Sequence, residues 1–250
     1  MFDFSIITVS YNSAKTIAET IQSVLSQKDV SFEYIIIDGG SKDETLNIIK
    51  SFKDNRIKLI SEPDDGLYDA MNKGIKLATG KIIAIINSDD VYIDDAILKL
   101  VNNKFKTSNV DVLSGHIYYF DDVISEKKRV YKCTEYKNST QWINGWQPPH
   151  PSTFITKKVY NDIGCYNINY KISADYDLLF RALYIKGYKH GVIDEFLVAM
   201  RNGGESTKNL SAIFNGNKEV ALVWGNQGLD VPKGLLVKKV IGKIFNRFSN

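Results

Sequence analysis

Apolar residues in the first hundred positions come in short unbroken runs rather than in alternation with polar ones. Residues 4–9, 34–37, 57–60 and 82–86 each read as a buried strand. The stretches between them carry helical spacing: Ile17, Ile21, Val24 and Leu25 fall on one face behind Ser13, which is placed to cap them. Ser41-Lys42-Asp43-Glu44 has capping-box spacing ahead of Leu46, Ile48, Ile49 and Phe52. Residues 69–78 form a helix ended by Gly80, and Ala96, Ile97, Leu98, Leu100 and Val101 form another after Asp94. Strands that are apolar throughout are buried on both faces. The pattern therefore predicts an α/β fold, a mostly parallel sheet with helices on both faces.

The second half is less regular. Residues 112–120 and 129–132 read as a hairpin turning at Asp121-Asp122, followed by an irregular stretch rich in tryptophan and proline from 142 to 151. A short strand at 153–156, a helix through Leu178, Leu179, Ala182 and Leu183, and strands at 191–193 and 197–200 complete the reading. No linker or internal repeat divides the 250 residues.

Composition narrows the class. Hydrophobic and charged contents of 44% and 24% are ordinary for a globular protein. Cys133 and Cys165 lack metal-ligand spacing and are too few for a disulfide framework, which predicts a reducing compartment. The N-terminus has no basic signal segment, and no run approaches the roughly 18 apolar residues of a membrane span, so a cytoplasmic protein is expected. Net charge is +3, but Lys233, Lys238, Lys239, Lys243 and Arg247 all lie in residues 231–250, where no acid occurs. Taking those five from 32 basic residues leaves 27 against 29 acidic, so the body gives no reason to expect nucleic acid. On a helical wheel Leu236, Val237, Val240, Ile241, Ile244, Phe245 and Phe248 share one side, with Lys238, Lys239 and Asn246 opposite, Lys243 at the boundary and Arg247 inside the apolar arc. Such a basic amphipathic helix suits an anionic membrane surface; the alternative is docking on its own domain or a second subunit.

Candidate chemistry gathers at strand ends. The run at 82–86 stops at Asn87-Ser88-Asp89-Asp90, where an open parallel sheet places its ligands. Two adjacent carboxylates there suit a divalent cation bridging to phosphate, although Asp-Asp is also a common turn. Thr8, Ser10 and Tyr11 end the first run, and Asp38-Gly39-Gly40 the second. A carboxylate at Asp38 suits a nucleobase N–H and Tyr11 a flat ring; the alternative for Asp38-Gly39-Gly40 is a plain turn. Neither a dinucleotide-binding glycine motif nor a phosphate-binding P-loop is present.

Residues 5–12 (Ser-Ile-Ile-Thr-Val-Ser-Tyr-Asn), 38–43 (Asp-Gly-Gly-Ser-Lys-Asp) and 87–90 resemble the nucleotide-sugar half of family 2 glycosyltransferases with the GT-A fold. Residues 62–75, beginning Glu-Pro-Asp-Asp-Gly-Leu-Tyr-Asp-Ala-Met-Asn, are similar to a segment of bacterial surface-polysaccharide enzymes of that family. His150-Pro151-Ser152-Thr153-Phe154 and residues 173–181 match its acceptor half, so the resemblance spans about residues 4 to 205.

The resemblance implies a GT-A domain over 1–230, with a donor half (1–105) and an acceptor half (106–230), and a separate tail at 231–250. It implies that Asp38, Thr8 and Tyr11 line the base pocket, with Asn72, Lys73, Asn87, Ser88 and Arg201 also toward the nucleotide-sugar. It implies Mn²⁺ or Mg²⁺ held chiefly by Asp89, with Asp90 behind; the His150 imidazole is placed to contact that metal, the donor phosphate or the acceptor. Asn87 stands where the family has the first acid of Asp-x-Asp, which puts one ribose or metal contact in doubt. Asp175 matches the general base; Ala174 replaces a commonly acidic neighbour. The alternative for Asp175 is a place in the first turn of a helix, favoured by the dipole. Trp142 and Trp146 would face the acceptor sugar or close the core beneath a loop. The implied reaction is inverting transfer from a nucleotide-diphosphate sugar, a UDP-sugar first among donors, to a glycan or lipid-linked acceptor in O-antigen, capsule or exopolysaccharide assembly, at the inner face of the membrane. The rivals are a nucleotidyltransferase and a catalytically silent binding module.

Overall fold

The structure, a computed structural model, describes residues 2–203 and 210–239. Strand and helix alternate through β1 (Phe4–Ser10), α1 (Ile17–Leu25), β2 (Phe32–Asp38), α2 (Thr45–Ser51), β3 (Ile57–Ser61), α3 (Leu67–Leu77) and β4 (Ile82–Ile85). Then follow β5 (Val91–Tyr92), α4 (Ile97–Thr107), β6 (Val112–Phe120), β7 (Arg129–Tyr131), α5 (Ser139–Ile143), β8 (Thr153–Thr156), α6 (Lys157–Ile163), α7 (Ala174–Leu179), β9 (His190–Arg201) and α8 (Leu210–Asn226).

Among the described residues one sheet holds all nine strands in the order β3-β2-β1-β4-β8-β6-β9-β5, with β7 paired to β6. The first four of that order run parallel. Isoleucines cover both faces of β1 and β2, so helices pack on each side. Ile7, Val9, Ile35 and Ile37 meet α3 and α7 on one face, whereas Ile6, Tyr34 and Ile36 meet α1, α2 and α4 on the other. The α/β expectation is borne out.

Local expectations fared less evenly. Neither Ser13 nor Ser41 caps a helix, because each hydroxyl is used by a distant loop: Ser13 Oγ meets Ser88 Oγ at 2.8 Å, and Ser41 Oγ accepts from the Asn12 N–H at 2.8 Å. Asp43 holds the first turn of α2 instead, accepting from the Thr45 N–H. The two late strands are one, β9, joined through a bulge opposite Ser114 to Ile117. The helix expected through Leu183 changes from α7 to a π-helical segment at Phe180–Ile185.

The end of the sheet remote from the strand tips is riveted by a buried carboxylate. Glu33 on β2 accepts from Ser5 Oγ of β1 (2.6 Å), from both the N–H and the hydroxyl of Thr79 ahead of β4, and from Lys58 Nζ of β3. The Gly80 N–H closes the set by donating to Ser5 Oγ. A Cβ on Gly80 would lie 2.4 Å from the Phe4 carbonyl carbon, so only glycine allows this approach.

Burial alone would raise the Glu33 pKa, but the bonds from Lys58, Ser5 and Thr79 outweigh it and push it down to about 2 from 4.5. A depressed carboxylate stabilises the fold above its unfolded value, and that contribution is lost as pH falls from about 4.5 toward about 2. Glu33→Gln should therefore lower thermal stability at pH 7 by about 1–3 kcal/mol and flatten the acid limb of a melting-temperature profile. An unchanged limb would remove Glu33 as its source.

Candidate active site

The tips of β1, β2 and β3 are laced into one edge. Asp38, the last residue of β2, is fully buried and accepts from the Gly40 and Ser41 N–H groups (3.1 and 3.0 Å), from Ser41 Oγ, from Ser61 Oγ of β3 (2.8 Å) and from Ser10 Oγ of β1 (3.3 Å). Burial would raise its pKa; the donors from Ser41, Ser61 and Gly40 overcome that and hold it below the ordinary value. The Asn12 N–H donates to Ser41 Oγ and Asn12 Oδ1 accepts from the Lys42 N–H, which joins the loop after β1 to the loop after β2. Tyr11 stands out of this lacework with 63% of its surface exposed.

Beside it lies the acidic turn after β4. Thr20 of α1 donates to the carbonyl of Asp90 at 2.8 Å, and the Asp90 N–H closes the turn onto the Asn87 carbonyl. Burial raises the Asp89 pKa, with Arg201 opposing. Burial and then the neighbouring Asp89 charge raise Asp90 further, against an Asn87 amide bond of 3.1 Å. Asn87 Oδ1 is buried and has no hydrogen-bond partner. An unpaired amide oxygen beside two carboxylates made costly by burial is a hard-oxygen donor set suited to a divalent cation.

The sheet turns antiparallel at β8, which pairs Ala84 of β4 with Phe154. His150 lies beyond that pairing, at the start of a 3-10 turn (His150–Ser152) that leads into β8. His150 borders a cavity of about 460 Å³ lined also by Tyr119, Arg129, Trp146, Gln147, Asp175 and Lys239. Asp175, in the first turn of α7, is half-buried there. Gln147 Nε2 donates to its Oδ2 at 2.9 Å, and the Tyr68 hydroxyl lies 3.5 Å from Oδ1. The start of α7 is held by Glu219 of α8, whose carboxylate accepts from the N–H groups of Lys171, Ile172 and Ser173. Burial lowers the His150 pKa, and the nearby Asp175 charge opposes it. None of residues 87–90 lines this cavity. Its wall includes Tyr119, whose pKa is raised chiefly by burial and also by Asp90, and Met200, which precedes Arg201.

Several expected contacts give way. Thr8 is fully buried and accepts from the Tyr34 hydroxyl, so it cannot line a base pocket. Asp38 cannot hold a base, because its oxygens are turned inward onto the strand tips. Asn72 is 8% exposed, and its amide pairs with both the N–H and the carbonyl of Tyr166 (2.9 and 2.8 Å); it docks α3 rather than facing a donor. Lys73 binds the Pro63 carbonyl at 2.8 Å and pairs with Glu62 and Asp69. Trp142 is fully buried against Tyr176 and Phe180, so it closes the core and offers no face to a sugar. Trp146 does border the cavity. His150 completes no ligand set with Asp89 and Asp90: its Nε2 meets the Tyr166 hydroxyl at 2.6 Å, and no group of three or more His, Cys, Asp or Glu side chains converges as metal ligands among the described residues. Ser88 is bonded to Ser13. The Arg201 guanidinium is engaged by Glu19 at 2.6 Å and the Asp121 carbonyl at 2.7 Å.

Of the tail, residues 235–239 are helical, and Lys238 and Lys239 face the cavity rather than forming an outer polar side; Lys238 Nζ reaches Asn144 at 2.7 Å. Residues 240–250, and most of the wheel, lie outside the described residues. Tyr68, Gln147, Tyr166 and Glu219 were missed from sequence. Only Tyr68 carried a signal, its place in the motif at 62–75.

The model of the family described as Glycosyl transferase family 2 matches residues 5–168. The chain is 28% identical over 201 residues to a PGL/p-HBAD biosynthesis glycosyltransferase of Mycobacterium bovis (strain BCG / Pasteur 1173P2), covering 77% of this chain and 76% of that one. An uncharacterized glycosyltransferase of Rickettsia prowazekii (strain Madrid E) is 31% identical over 186 residues, 71% of this chain and 57% of the relative. Staphylococcus aureus TarS 1-349 in complex with UDP-GlcNAc superposes with a TM-score of 0.71 at 22% identity, over 88% of this chain and 65% of TarS. The mannosyltransferase PcManGT from Pyrobaculum calidifontis, in complex with GDP-Man and Mn²⁺, gives 0.66 at 14% identity over 98% of this chain and 71% of its own.

Asn72 and Lys73 provide a contrast that can be measured. Asn72→Ala strands both backbone groups of Tyr166 in the interior and should cost about 1–3 kcal/mol, with melting lowered by about 2–4 °C per kcal/mol. Lys73→Ala removes partners at the surface and should cost under about 1 kcal/mol. Equal melting temperatures for the two variants would show that Asn72 is not a structural anchor.

Proposed function

Given that the chain belongs to glycosyl transferase family 2 and has its GT-A-like fold, we propose that it transfers one sugar, with inversion, from a nucleotide-diphosphate sugar to a hydroxyl of a glycan or lipid-linked acceptor. A UDP-sugar is the donor of choice, in keeping with TarS bound to UDP-GlcNAc. An acceptor of the surface-glycan or glycolipid kind is in keeping with the mycobacterial relative. The observation that carries this reading is Asp175, a half-buried carboxylate on the cavity wall with Gln147 on one oxygen and Tyr68 near the other.

The roles follow from chemistry. Asp175 accepts the proton of the acceptor hydroxyl as that oxygen attacks the anomeric carbon. The new C–O bond forms opposite the bond to the diphosphate, which leaves with its electron pair. A single carboxylate suffices, because no leaving-group acid is needed for a diphosphate. Gln147 keeps Asp175 aimed into the cavity, and Trp146 offers the acceptor ring an apolar face. Asp89 and Asn87 Oδ1 would hold a divalent cation, Mn²⁺ or Mg²⁺, with remaining positions left to substrate oxygens and water. When bound, that ion neutralises charge on the departing diphosphate. Arg201, fixed by Glu19, keeps the Asp89–Asp90 pair compensated.

Asp175→Asn should leave nucleotide binding within about twofold and lower the turnover number by about 10²–10⁴-fold. Asp89→Ala should abolish metal-stimulated donor hydrolysis in the purified protein. Full transfer by Asp175→Asn would remove the base assignment, and hydrolysis unaffected by chelators would remove the metal.

Contact with an anionic membrane through residues 232–250 belongs to the same reading. No helix among the described residues is long and apolar enough to cross a bilayer. Deleting 240–250 should abolish cosedimentation with vesicles rich in anionic lipid, whereas undiminished cosedimentation would assign the contact to another surface.

A further inference from the structure

Asp38 faces inward, which leaves the donor edge without the base-reading carboxylate the sequence suggested. Another carboxylate occupies the place. A Cβ built on Gly39 would fall 2.5 Å from Asp64 Oδ2 and 3.5 Å from Cδ2 of the exposed Tyr11 ring. From that common point the carboxylate oxygen and the ring lie at most 6.0 Å apart. The absent side chain at position 39 is what admits Asp64, which arrives from the loop after β3.

The loop presents this carboxylate in a fixed way. The Gly66 N–H donates to Asp64 Oδ1 at 2.9 Å, so one oxygen is spent on the turn. Lys73 Nζ holds the preceding residues through the Pro63 carbonyl and the Glu62 carboxylate. Asp64 Oδ2 has no hydrogen-bond donor among the described residues. It points instead to the gap over Gly39, at the rim of the Tyr11 ring.

Resting on the donor reading above, we propose that Asp64, admitted by Gly39, reads the nucleobase of the donor, with Tyr11 packing on the base plane. A carboxylate is an acceptor only. A base whose central ring nitrogen on the pairing edge is set against Oδ2 must therefore carry a hydrogen on that nitrogen. Uracil at N3 and guanine at N1 carry that hydrogen. Adenine at N1 and cytosine at N3 present a lone pair there, which repels the carboxylate. The site thus selects uridine or guanosine diphosphates over adenosine and cytidine diphosphates. Lys73 acts as a positioning residue that holds the Asp64 loop.

Calorimetric titration of the full chain with UDP, GDP, ADP and CDP in the presence of Mn²⁺ tests this without acceptor or turnover. The wild type should prefer UDP or GDP, and the two arms identify which base is native. Asp64→Asn should weaken the preferred nucleotide by about tenfold to a hundredfold and leave the disfavoured ones little changed. Gly39→Ala, which crowds only the end of a flexible side chain, should melt like the wild type yet lose discrimination. Gly39→Asp combined with Asp64→Ala supplies the carboxylate from the other strand and should restore it. Lys73→Ala should weaken the preferred nucleotide modestly with little change in melting temperature. Discrimination unchanged in both Asp64→Asn and Gly39→Ala would overturn the assignment. Failure of the wild type to bind any of the four would instead overturn the donor reading itself.

Discussion

The edge formed by the tips of β1, β2 and β3 depends on one carboxylate that never meets solvent. Asp38 gathers hydroxyls from the tips of β1, its own loop and β3, together with two backbone N–H groups, and no cation is part of the set. Its charge is solvated by oriented dipoles instead of water, which is why its pKa stays low despite burial. Such a network is favourable only when every member is satisfied. Three parallel strands therefore end level and rigid, and the loops they carry have fixed places over the sheet. Glu33 performs the same service at the remote end, so β1, β2 and β3 are pinned twice.

The cavity side is built from other materials. Trp142, Tyr176, Phe180 and Trp224 interlock as an aromatic mass beneath the cavity. The polar contacts there are few and specific: Glu219 holds the start of α7, Asn72 ties α3 to the Tyr166 loop, and Gln147 steadies Asp175. Each is a side chain reaching far along the chain to satisfy groups that would otherwise be buried unpaired. The edge at the tips of β1, β2 and β3 is organised by hydroxyls meeting carboxylates over one strand spacing, and the cavity side by long contacts between helices.

Fold class was legible because it rests on runs of apolar residues, and both faces of β1 and β2 need cover. That polar side chains gather at the strand ends was legible for the same reason. Which neighbour at a strand end faces outward was not. Thr8 and Asp38 look like site residues by type, but their side chains turn into the sheet, whereas Tyr11 stands free. Caps were misassigned because Ser13 and Ser41 have partners roughly thirty or more residues away, which no local spacing records. Trp142 and Trp146 sit four residues apart, one in α5 and the other just past its end, yet one is core and the other wall. The glycine at 39 read only as a turn; its value lies in what it lets approach from the loop after β3.

Strand β8 has four residues, and it alone lies between β4 and β6 in the sheet order. It runs against both neighbours. The seam between the two halves is thus a hydrogen-bond register and not a hinge. Neighbouring strands sit about 4.8 Å apart, so the offset across that seam is a lattice constant of the sheet, insensitive to thermal breathing. A protein joined in this way has little scope to adjust its reach to a larger or smaller sugar by closing around it. Changes of reach must come through the loops, and a slip of one residue in β8 would turn Phe154 out of the core altogether.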